Sequence, residues 1–157
     1  MKHQGITQAP EIIEAMESMR NEEQRQILMR FFKCGKGQYG EGEQFLGLKV
    51  PQTRGVVKAA KGTVGLPEIE RLLYSKWHEV RLCGFLLLVE EMQKAVPHGR
   101  KEGNAVQRKE LAEFYLSHAR QANNWDLVDL SAPYILGEFL LHPLPCGTMP
   151  SHCLLDR

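Results

Sequence analysis

The sequence predicts an all-α protein, and three observations lead to this fold class. Apolar residues recur at spacings of three and four along most of the chain, which is the period of a helix face. No stretch alternates with the two-residue period of a half-buried strand. The fourteen residues from Trp77 (WHEVRLCGFLLLVE) align without a gap with those from Trp125 (WDLVDLSAPYILGE), with five identities. This spacing of 48 residues is close to the period of HEAT or armadillo units, so we expect a HEAT-like α-solenoid of antiparallel helical pairs.

The first half of the chain predicts four helices and one long loop. Segment 9–33 predicts a helical hairpin, because its helical apolar pattern is interrupted at Asn21, a good N-cap residue. Four glycines fall within 35–42, a density that no helix or strand interior tolerates, so this segment is a predicted loop. Prolines at first-turn positions begin two further predicted helices, over 51–61 and from 67 to about 74.

The second half predicts three longer helical segments. The segment from roughly 77 to 96 is apolar on all sides at its centre, which predicts burial between neighbouring helices. After a basic connection at 98–101, an amphipathic helix extends to about His118. The last segment covers 124–141 and is expected to break or kink at Pro133, whose ring crowds the carbonyl of the preceding turn.

Composition restricts the class of protein. A chain of 157 residues with 43% hydrophobic and 25% charged residues is typical of one globular domain. The net charge of +1 means that any contact with nucleic acid must come from a local patch. The N-terminus lacks the apolar core of a signal peptide, the apolar run 82–89 is too short to span a membrane, and the four cysteines form no CxxC pair. We therefore expect a soluble cytoplasmic protein that makes no membrane contact.

The glycine-rich loop contains GKGQYG at 35–40, which satisfies the pattern G-x-G-x-x-G. That pattern binds a dinucleotide only when a strand precedes it, and here a predicted helix precedes it, so nucleotide binding is not predicted. Two interpretations stay open. The loop is a flexible turn between helices, or it contacts a phosphodiester backbone through Lys33, Lys36 and free amides.

Two other groups of polar residues predict no site of their own. Ser131 has no nearby histidine and no glycine elbow, so we interpret it as a helix cap ahead of Pro133 rather than as a nucleophile. Four possible zinc ligands near the C-terminus have a spacing that matches no familiar zinc motif. They are His142, Cys146, His152 and Cys153.

Segment 29–58 has a local excess of positive charge. It contains two acidic residues, Glu41 and Glu43, and two interleaved aromatic residues, Tyr39 and Phe45. Such a cluster is either an ordinary solvated face or, on a solenoid whose loops and helix ends align along one edge, part of a groove that binds nucleic acid. The basic residues are Arg30, Lys33, Lys36, Lys49, Arg54 and Lys58.

The segment 124–129 (NWDLVD) is the most informative for function. Trp125 and Asp129 are four residues apart and share one face of a predicted helix. In the repeat alignment Asp129 stands opposite Arg81, so the second copy carries a carboxylate where the first carries a cation. The pair is either a packed tryptophan beside a surface acid or a receptor for a cation, because an indole face and a carboxylate both attract positive charge.

Taken together, these segments resemble the AlkD-like family of bacterial DNA alkylation repair glycosylases. The resemblance extends from about residue 10 to residue 141, and W-x-x-x-D, here Trp125 and Asp129, is the active-site pattern of that family. In chain order the segments that carry it are Phe31-Phe32-Lys33, GKGQYGEG at 35–42, Phe45-Leu46-Gly47, Val50-Pro51-Gln52-Thr53-Arg54, Glu79-Val80-Arg81-Leu82, NWDLVD at 124–129, Pro133 and Gly137.

The resemblance implies an activity and its site. It implies that duplex DNA binds a basic concave face and that purines made cationic by N3 or N7 alkylation, such as 3-methyladenine and 7-methylguanine, are excised from it. It implies Asp129 as the catalytic carboxylate, Trp125 beside the lesion, no metal or organic cofactor, and action on the bacterial nucleoid. No obligate protein partner is expected. The DNA-binding candidates are Phe31, which the family implies, and Lys33, Lys36, Tyr39 and Arg54.

The sequence after residue 141 departs from the resemblance. The family continues with further repeats, one of which supplies an arginine to the lesion-facing cluster, whereas 142–157 is an irregular segment of proline, cysteine and histidine. We therefore expect a repeat domain over 1–141 whose C-terminal repeats are missing. The competing hypothesis is a non-catalytic module that binds DNA or protein, or an inactive truncated product. An array ending there exposes an apolar flank through which we expect a marginally stable chain to associate. The flank residues are Leu127, Leu130, Tyr134 and Leu141.

Overall fold

The computed structural model describes residues 6–38, 40–60 and 62–142. Within these ranges the ordered elements are helices and there is no β-strand, so the all-α prediction is confirmed. No helix in the same ranges is long and apolar enough to cross a membrane. Tyr39 and the whole C-terminal segment after His142 lie outside the described residues, so three of the four possible zinc ligands do too.

The helices follow the predicted order, and their bounds agree with the prediction to within a few residues. A 3₁₀ turn at Ala119–Gln121 precedes α7, and a π-helical turn at Pro133–Gly137 precedes α8. The helices are α1 (Ala9–Glu17), α2 (Glu22–Phe31), α3 (Val50–Ala60), α4 (Leu66–Leu73), α5 (His78–Ala95), α6 (Ala105–Ser117), α7 (Trp125–Asp129) and α8 (Glu138–Leu141).

Two helices begin at asparagine caps. The side-chain oxygen of Asn21 accepts the backbone N–H of Gln24 at 2.9 Å, which confirms the predicted break between α1 and α2. The side chain of Asn104 accepts the N–H of Gln107 at 2.9 Å and starts α6 in the same way. Each cap satisfies a backbone donor that has no partner within the helix.

Helix α5 forms the centre of the molecule. It packs against α3, α4 and α6 and is buried on all sides along its first eleven residues, as its apolar sequence predicts. Gly84 lets α4 approach closely, because a Cβ at that position would lie 2.8 Å from Leu73 Cδ2. Helix α1 in turn packs against α3 and α4, so it joins the same core from the side of these two helices. The stacking of helical pairs into a solenoid stays a prediction.

The helical segment is interrupted ahead of Pro133, as predicted: α7 ends at Asp129, and a π-helical turn begins at Pro133. The interpretation of Ser131 as a helix cap is wrong. No side-chain capping bond is made at the start of the following helical turn, and the buried Ser131 hydroxyl instead donates to the carbonyl oxygen of Leu127. It also lies 2.9 Å from the hydroxyl of Tyr115, which joins α6 to the C-terminal helical segment.

The predicted apolar flank is formed only in part. Tyr134 is 47% exposed and Leu141 is 72% exposed, as expected for the end of the described chain. Leu130 is half-buried, and Leu127 is fully buried in the core, so its assignment to the flank is wrong. The reason is that α7 packs against α5 and that Leu127 is the residue of α7 buried by this packing.

Candidate functional site

Helix α7 and the end of α2 enclose an apolar pocket of about 300 Å³. Trp125 and Asp129, the two predicted catalytic residues, both line it, because residues four apart share a helix face. Phe31, the last residue of α2, lines it from the other side. The remaining lining residues are Leu28, Phe32, Phe45, Leu48, Val50, Thr53, His78, Glu79, Leu82, Asp126 and Leu130.

Aromatic rings extend from the mouth of this pocket to its base. Phe31 and Trp125 are 59% and 45% exposed, and their ring centroids are 5.8 Å apart. Behind them the buried ring of Phe32 lies 5.6 Å from Trp125 and stacks on Phe45 at 5.3 Å. The mouth therefore offers two accessible aromatic faces that can contact a planar or cationic group.

Asp129 is a free carboxylate at the edge of the pocket. Its side chain is exposed, and it makes no hydrogen bond or ion pair with any residue in the described part of the chain. An unpaired anion beside an apolar, partly enclosed surface retains its full electrostatic attraction for a cation. The arrangement can therefore stabilise positive charge placed between the indole and the carboxylate.

Asp126, one helical turn earlier, is engaged in a different way. Its Oδ2 lies 2.6 Å from Nε2 of His78, a residue in the first turn of α5 whose ring is almost fully buried. Sequence reasoning missed this pair. The repeat carried the signal, because His78 follows Trp77 and Asp126 follows Trp125 at equivalent positions, 48 residues apart.

Glu43 connects this pair to the loop after α2. Its carboxylate forms an ion pair with Arg81, accepts the side-chain N–H of Asn124 at 3.0 Å, and lies 3.6 Å from Nδ1 of His78. Arg81 also donates to the backbone carbonyls of Ser75 and Lys76, at 2.9 and 3.2 Å. The sequence analysis treated Glu43 as an acid that reduces a basic cluster and did not identify its role in this network.

The pKa values of the network follow from its charges. Burial alone would raise the pKa of Glu43, but His78 and Arg81 outweigh burial and lower this pKa to about 2. Burial alone would lower the pKa of His78, but the carboxylates of Asp126 and Glu43 outweigh it and hold the pKa above the ordinary 6.5. The network therefore favours a protonated His78 between two carboxylates.

Glu79 fixes the strip of backbone that forms one side of the pocket. Its carboxylate accepts the N–H groups of Leu46, Gly47 and Leu48 at 2.9, 2.7 and 3.0 Å. Gly47 is required there, because its φ is +91° and a Cβ would lie 1.9 Å from the carbonyl oxygen of Asn21. Three consecutive donors on one carboxylate hold the segment rigidly against α5.

Of the four DNA-binding candidates that the structure describes, one lines the pocket, namely Phe31. Lys33 and Lys36 are exposed in the neighbouring loop, which begins directly after α2. Arg54 is exposed on α3 and lines a separate depression together with Lys58 and Glu90, so it does not belong to the pocket. Tyr39, the fifth candidate, is one of the residues outside the described part of the chain.

Three glycine amides of the glycine-rich loop are already hydrogen-bonded and are not free for the phosphate contact that one interpretation of the loop proposes. The N–H of Gly35 donates to the side chain of Gln38 at 2.9 Å, and that of Gly37 donates to Glu41 at 3.0 Å. The N–H of Gly40 donates to the carbonyl oxygen of Lys33 at 3.1 Å. These three donors are used inside the loop, so a phosphate contact by this loop would rely on other groups, among them the exposed side chains of Lys33 and Lys36.

Metal-ligating side chains do not converge in the described residues. No group of three or more histidine, cysteine, aspartate or glutamate side chains is arranged there to hold an ion. Of the possible zinc ligands, His142 is described, and its Nε2 lies 3.3 Å from Glu138 in an ordinary i,i+4 pair.

Comparison with known proteins gives one match. The family model described as DNA alkylation repair enzyme matches residues 12–149. No curated protein and no solved structure matches the chain. The matched range contains both copies of the repeat and every residue that lines the pocket, and it extends past residue 141. Because the match covers most of its length, this chain belongs to the family of DNA alkylation repair enzymes, which act in the repair of alkylated DNA.

Proposed function

We propose that this protein hydrolyses the N-glycosidic bond of cationic alkylated purines, of the 3-methyladenine and 7-methylguanine type, in duplex DNA. The observation that supports this proposal is the position of Trp125 and Asp129 on one apolar pocket, with Asp129 unpaired among the described residues. Family membership supports DNA as the partner and alkylation damage as the context. The proposed hydrolysis of the glycosidic bond follows from the residues of the pocket.

Charge determines what such a site must supply. A purine alkylated at N3 or N7 carries a positive charge and leaves with the electron pair of the C1′–N bond as a neutral base. The positive charge then develops on the deoxyribose, where a fixed carboxylate stabilises it. Asp129 has the exposure for this role, and a preorganised group of this kind contributes about 2–4 kcal/mol to lowering the barrier. Asp129 can also accept the proton that the attacking water loses as its oxygen bonds to C1′.

The exposed aromatic rings at the mouth of the pocket recognise the damaged base in this proposal. The cationic purine can contact the exposed faces of Trp125 and Phe31, which are 5.8 Å apart between centroids. A cation over an indole contributes about 0.5–2 kcal/mol, whereas an undamaged, neutral purine lacks this term. Selectivity for charged lesions therefore comes from the two aromatic rings at the pocket mouth, whereas Asp129 promotes release of the base.

The experiment that tests this proposal is base release from DNA that contains 7-methylguanine, under single-turnover conditions. Asp129→Asn keeps the shape of the side chain and removes its charge, so we expect a rate lower by about two to three decades with DNA binding retained. Glu110→Gln, which removes an exposed carboxylate on α6 outside the pocket, is the matched control and is expected to keep the parent rate.

Two outcomes contradict the proposal. If the parent protein binds DNA in a salt-dependent manner but releases no base, the chain is a non-catalytic binding module of the same family. If Asp129→Asn and the parent release base at equal rates, the carboxylate is not catalytic and the chemistry must be assigned elsewhere.

A further inference from the structure

Helix α7 is too short to hold its own orientation. It has five residues, and helices of this length gain little stability from their internal hydrogen bonds. Its N-cap residue, Asn124, makes no capping hydrogen bond and donates its side-chain N–H to Glu43 instead. The placement of Trp125 and Asp129 therefore depends on contacts between α7 and the rest of the molecule.

One of these contacts is polar, buried and central to the helix. Asp126 lies in the same helical turn as Trp125 and Asp129, and its carboxylate meets His78 Nε2 at 2.6 Å. The His78 ring is itself fixed, because it packs against Phe32 and Phe45 at centroid distances of 5.1 and 4.7 Å. A side chain held by packing and by hydrogen bonds is suited to orient another.

We infer that His78 is a positioning residue: by holding Asp126 it fixes the rotation of α7, and with it the placement of Trp125 and Asp129 over the pocket. The catalytic consequence rests on the function proposed above, whereas the placement of Trp125 is measurable without it. His78 acts through Asp126, since its ring is buried behind the aromatic mouth of the pocket.

The surroundings of His78 make its contact with Asp126 sensitive to pH. Two carboxylates and two aromatic rings face it from other elements, and no cation in the described residues contacts the ring. The protonated form of His78 is therefore stabilised. When His78 loses this proton at higher pH, its hydrogen bond to Asp126 weakens. The facing groups are Asp126 on α7, Glu43 and Phe45 before α3, and Phe32 after α2, while Glu79 and Arg81 lie nearby on α5 itself.

The first test measures the environment of Trp125 without any reaction. The chain has two tryptophans, so Trp77→Phe leaves Trp125 as the remaining tryptophan, which is excited selectively over the tyrosines at long wavelength. In that background we expect His78→Gln to shift the emission to longer wavelength and to increase quenching by acrylamide, because α7 loosens. His118→Gln is the matched control, since His118 bonds the Phe114 carbonyl at 2.7 Å on α6, away from the pocket.

The second test follows base release under single-turnover conditions. We expect His78→Gln to slow release by about ten- to a hundredfold, the usual effect of a small misplacement of catalytic groups, while the Kd for DNA is unchanged. Asp126→Asn is expected to have a similar effect, and the double variant to be no slower than either single variant, because both remove one contact. The parent rate falls as pH rises through the pKa of His78, and this dependence is absent in His78→Gln.

The outcomes separate the two proposals. If the parent releases no base, the proposed function fails, and the fluorescence of Trp125 still decides the inference about His78. If His78→Gln does not fold, Asp126→Asn and the pH dependence of Trp125 quenching in the Trp77→Phe protein take its place. The inference is overturned if the emission and the acrylamide quenching of Trp125 are the same in proteins with and without the His78–Asp126 contact, both below and above the pKa of His78.

Discussion

Asp126 and Asp129 lie in one short helix, and their surroundings give them different roles. Asp126 is paired with a buried histidine at 2.6 Å, so most of its electrostatic field is already neutralised. Asp129 lines the pocket and has no partner among the described residues. A carboxylate that is not paired with a cation keeps more of its attraction for a transient positive charge. The structure therefore supports Asp129, and not its neighbour, as the catalytic candidate.

The indole of Trp125 is expected to contribute to lesion selectivity. Trp125→Ala removes one of the two exposed rings at the pocket mouth, and we expect release of 7-methylguanine to slow by about three- to thirtyfold, the range of one cation–π contact. Trp125→Phe is expected to recover part of the loss. Tyr74→Ala removes an exposed ring at the end of α4 and is the control. Equal effects of the Trp125 and Tyr74 substitutions would refute the assignment.

Glu43 is expected to make stability depend on pH in the acid range. Its pKa is lowered from 4.5 to about 2 in the folded protein, so its stabilising contribution is complete above 4.5 and is lost as pH falls toward 2. Glu43→Gln is therefore expected to lower the Tm near neutral pH and to flatten its acid dependence. Thermal unfolding monitored by circular dichroism from about pH 2 to pH 6 measures both. A Glu43→Gln curve parallel to that of the parent would contradict this.

At the scale of elements, the sequence predicts what depends on local periodicity. The long helix α5 and the asparagine cap of α2 are confirmed because apolar spacing and capping chemistry act within a few residues. The interruption of the last helical segment near Pro133 is confirmed for the same reason, whereas the contact between Ser131 and Tyr115 of α6 is not a local feature and is not predicted.

The sequence predicts the candidate site only in part, because sequence patterns reveal contacts between residues that are close in the chain and not between distant ones. Trp125 and Asp129 are found because their spacing of four defines a helix face. The network that supports them joins Glu43, His78 and Asp126 from three separate segments, and no periodic pattern encodes contacts over such distances in the chain. The repeat alone connects His78 with Asp126, through their equivalent positions in the two copies.

The hydrogen bonds between Glu79 of α5 and the backbone of residues 46–48 are expected to be a principal source of stability at the pocket. Glu79→Gln leaves at least one of three buried N–H groups without an acceptor, and we expect a loss of about 2–4 kcal/mol in the free energy of unfolding. Glu110→Gln, on the exposed side of α6, is expected to change it by less than about 0.5 kcal/mol. Urea denaturation measures both, and similar midpoints for the two variants would argue against the role of Glu79.

For the whole molecule, charge distribution limits how DNA can be held. The net charge is +1, so no general field attracts a polyanion, and binding must come from exposed cations near the pocket. Lys33 and Lys36 are exposed in the loop that begins at the end of α2, next to Phe31, whereas Arg54 lines a separate depression on α3. The loop lysines are therefore the better candidates for phosphate contacts, because they are close to Phe31, which lines the pocket proposed to receive the base.

The salt dependence of DNA binding tests this assignment. Each phosphate contact contributes about 0.9 to the slope of log Kd against log salt concentration, so changing both Lys33 and Lys36 to Gln is expected to reduce the slope by about two. Lys109→Gln removes a cation on α6 that lies 3.9 Å from Glu113 and is expected to leave the slope unchanged. If Arg54→Gln reduces the slope and the lysine substitutions do not, DNA lies along α3 instead, and the pocket at α7 then receives its base from a strand that crosses the molecule in a different direction.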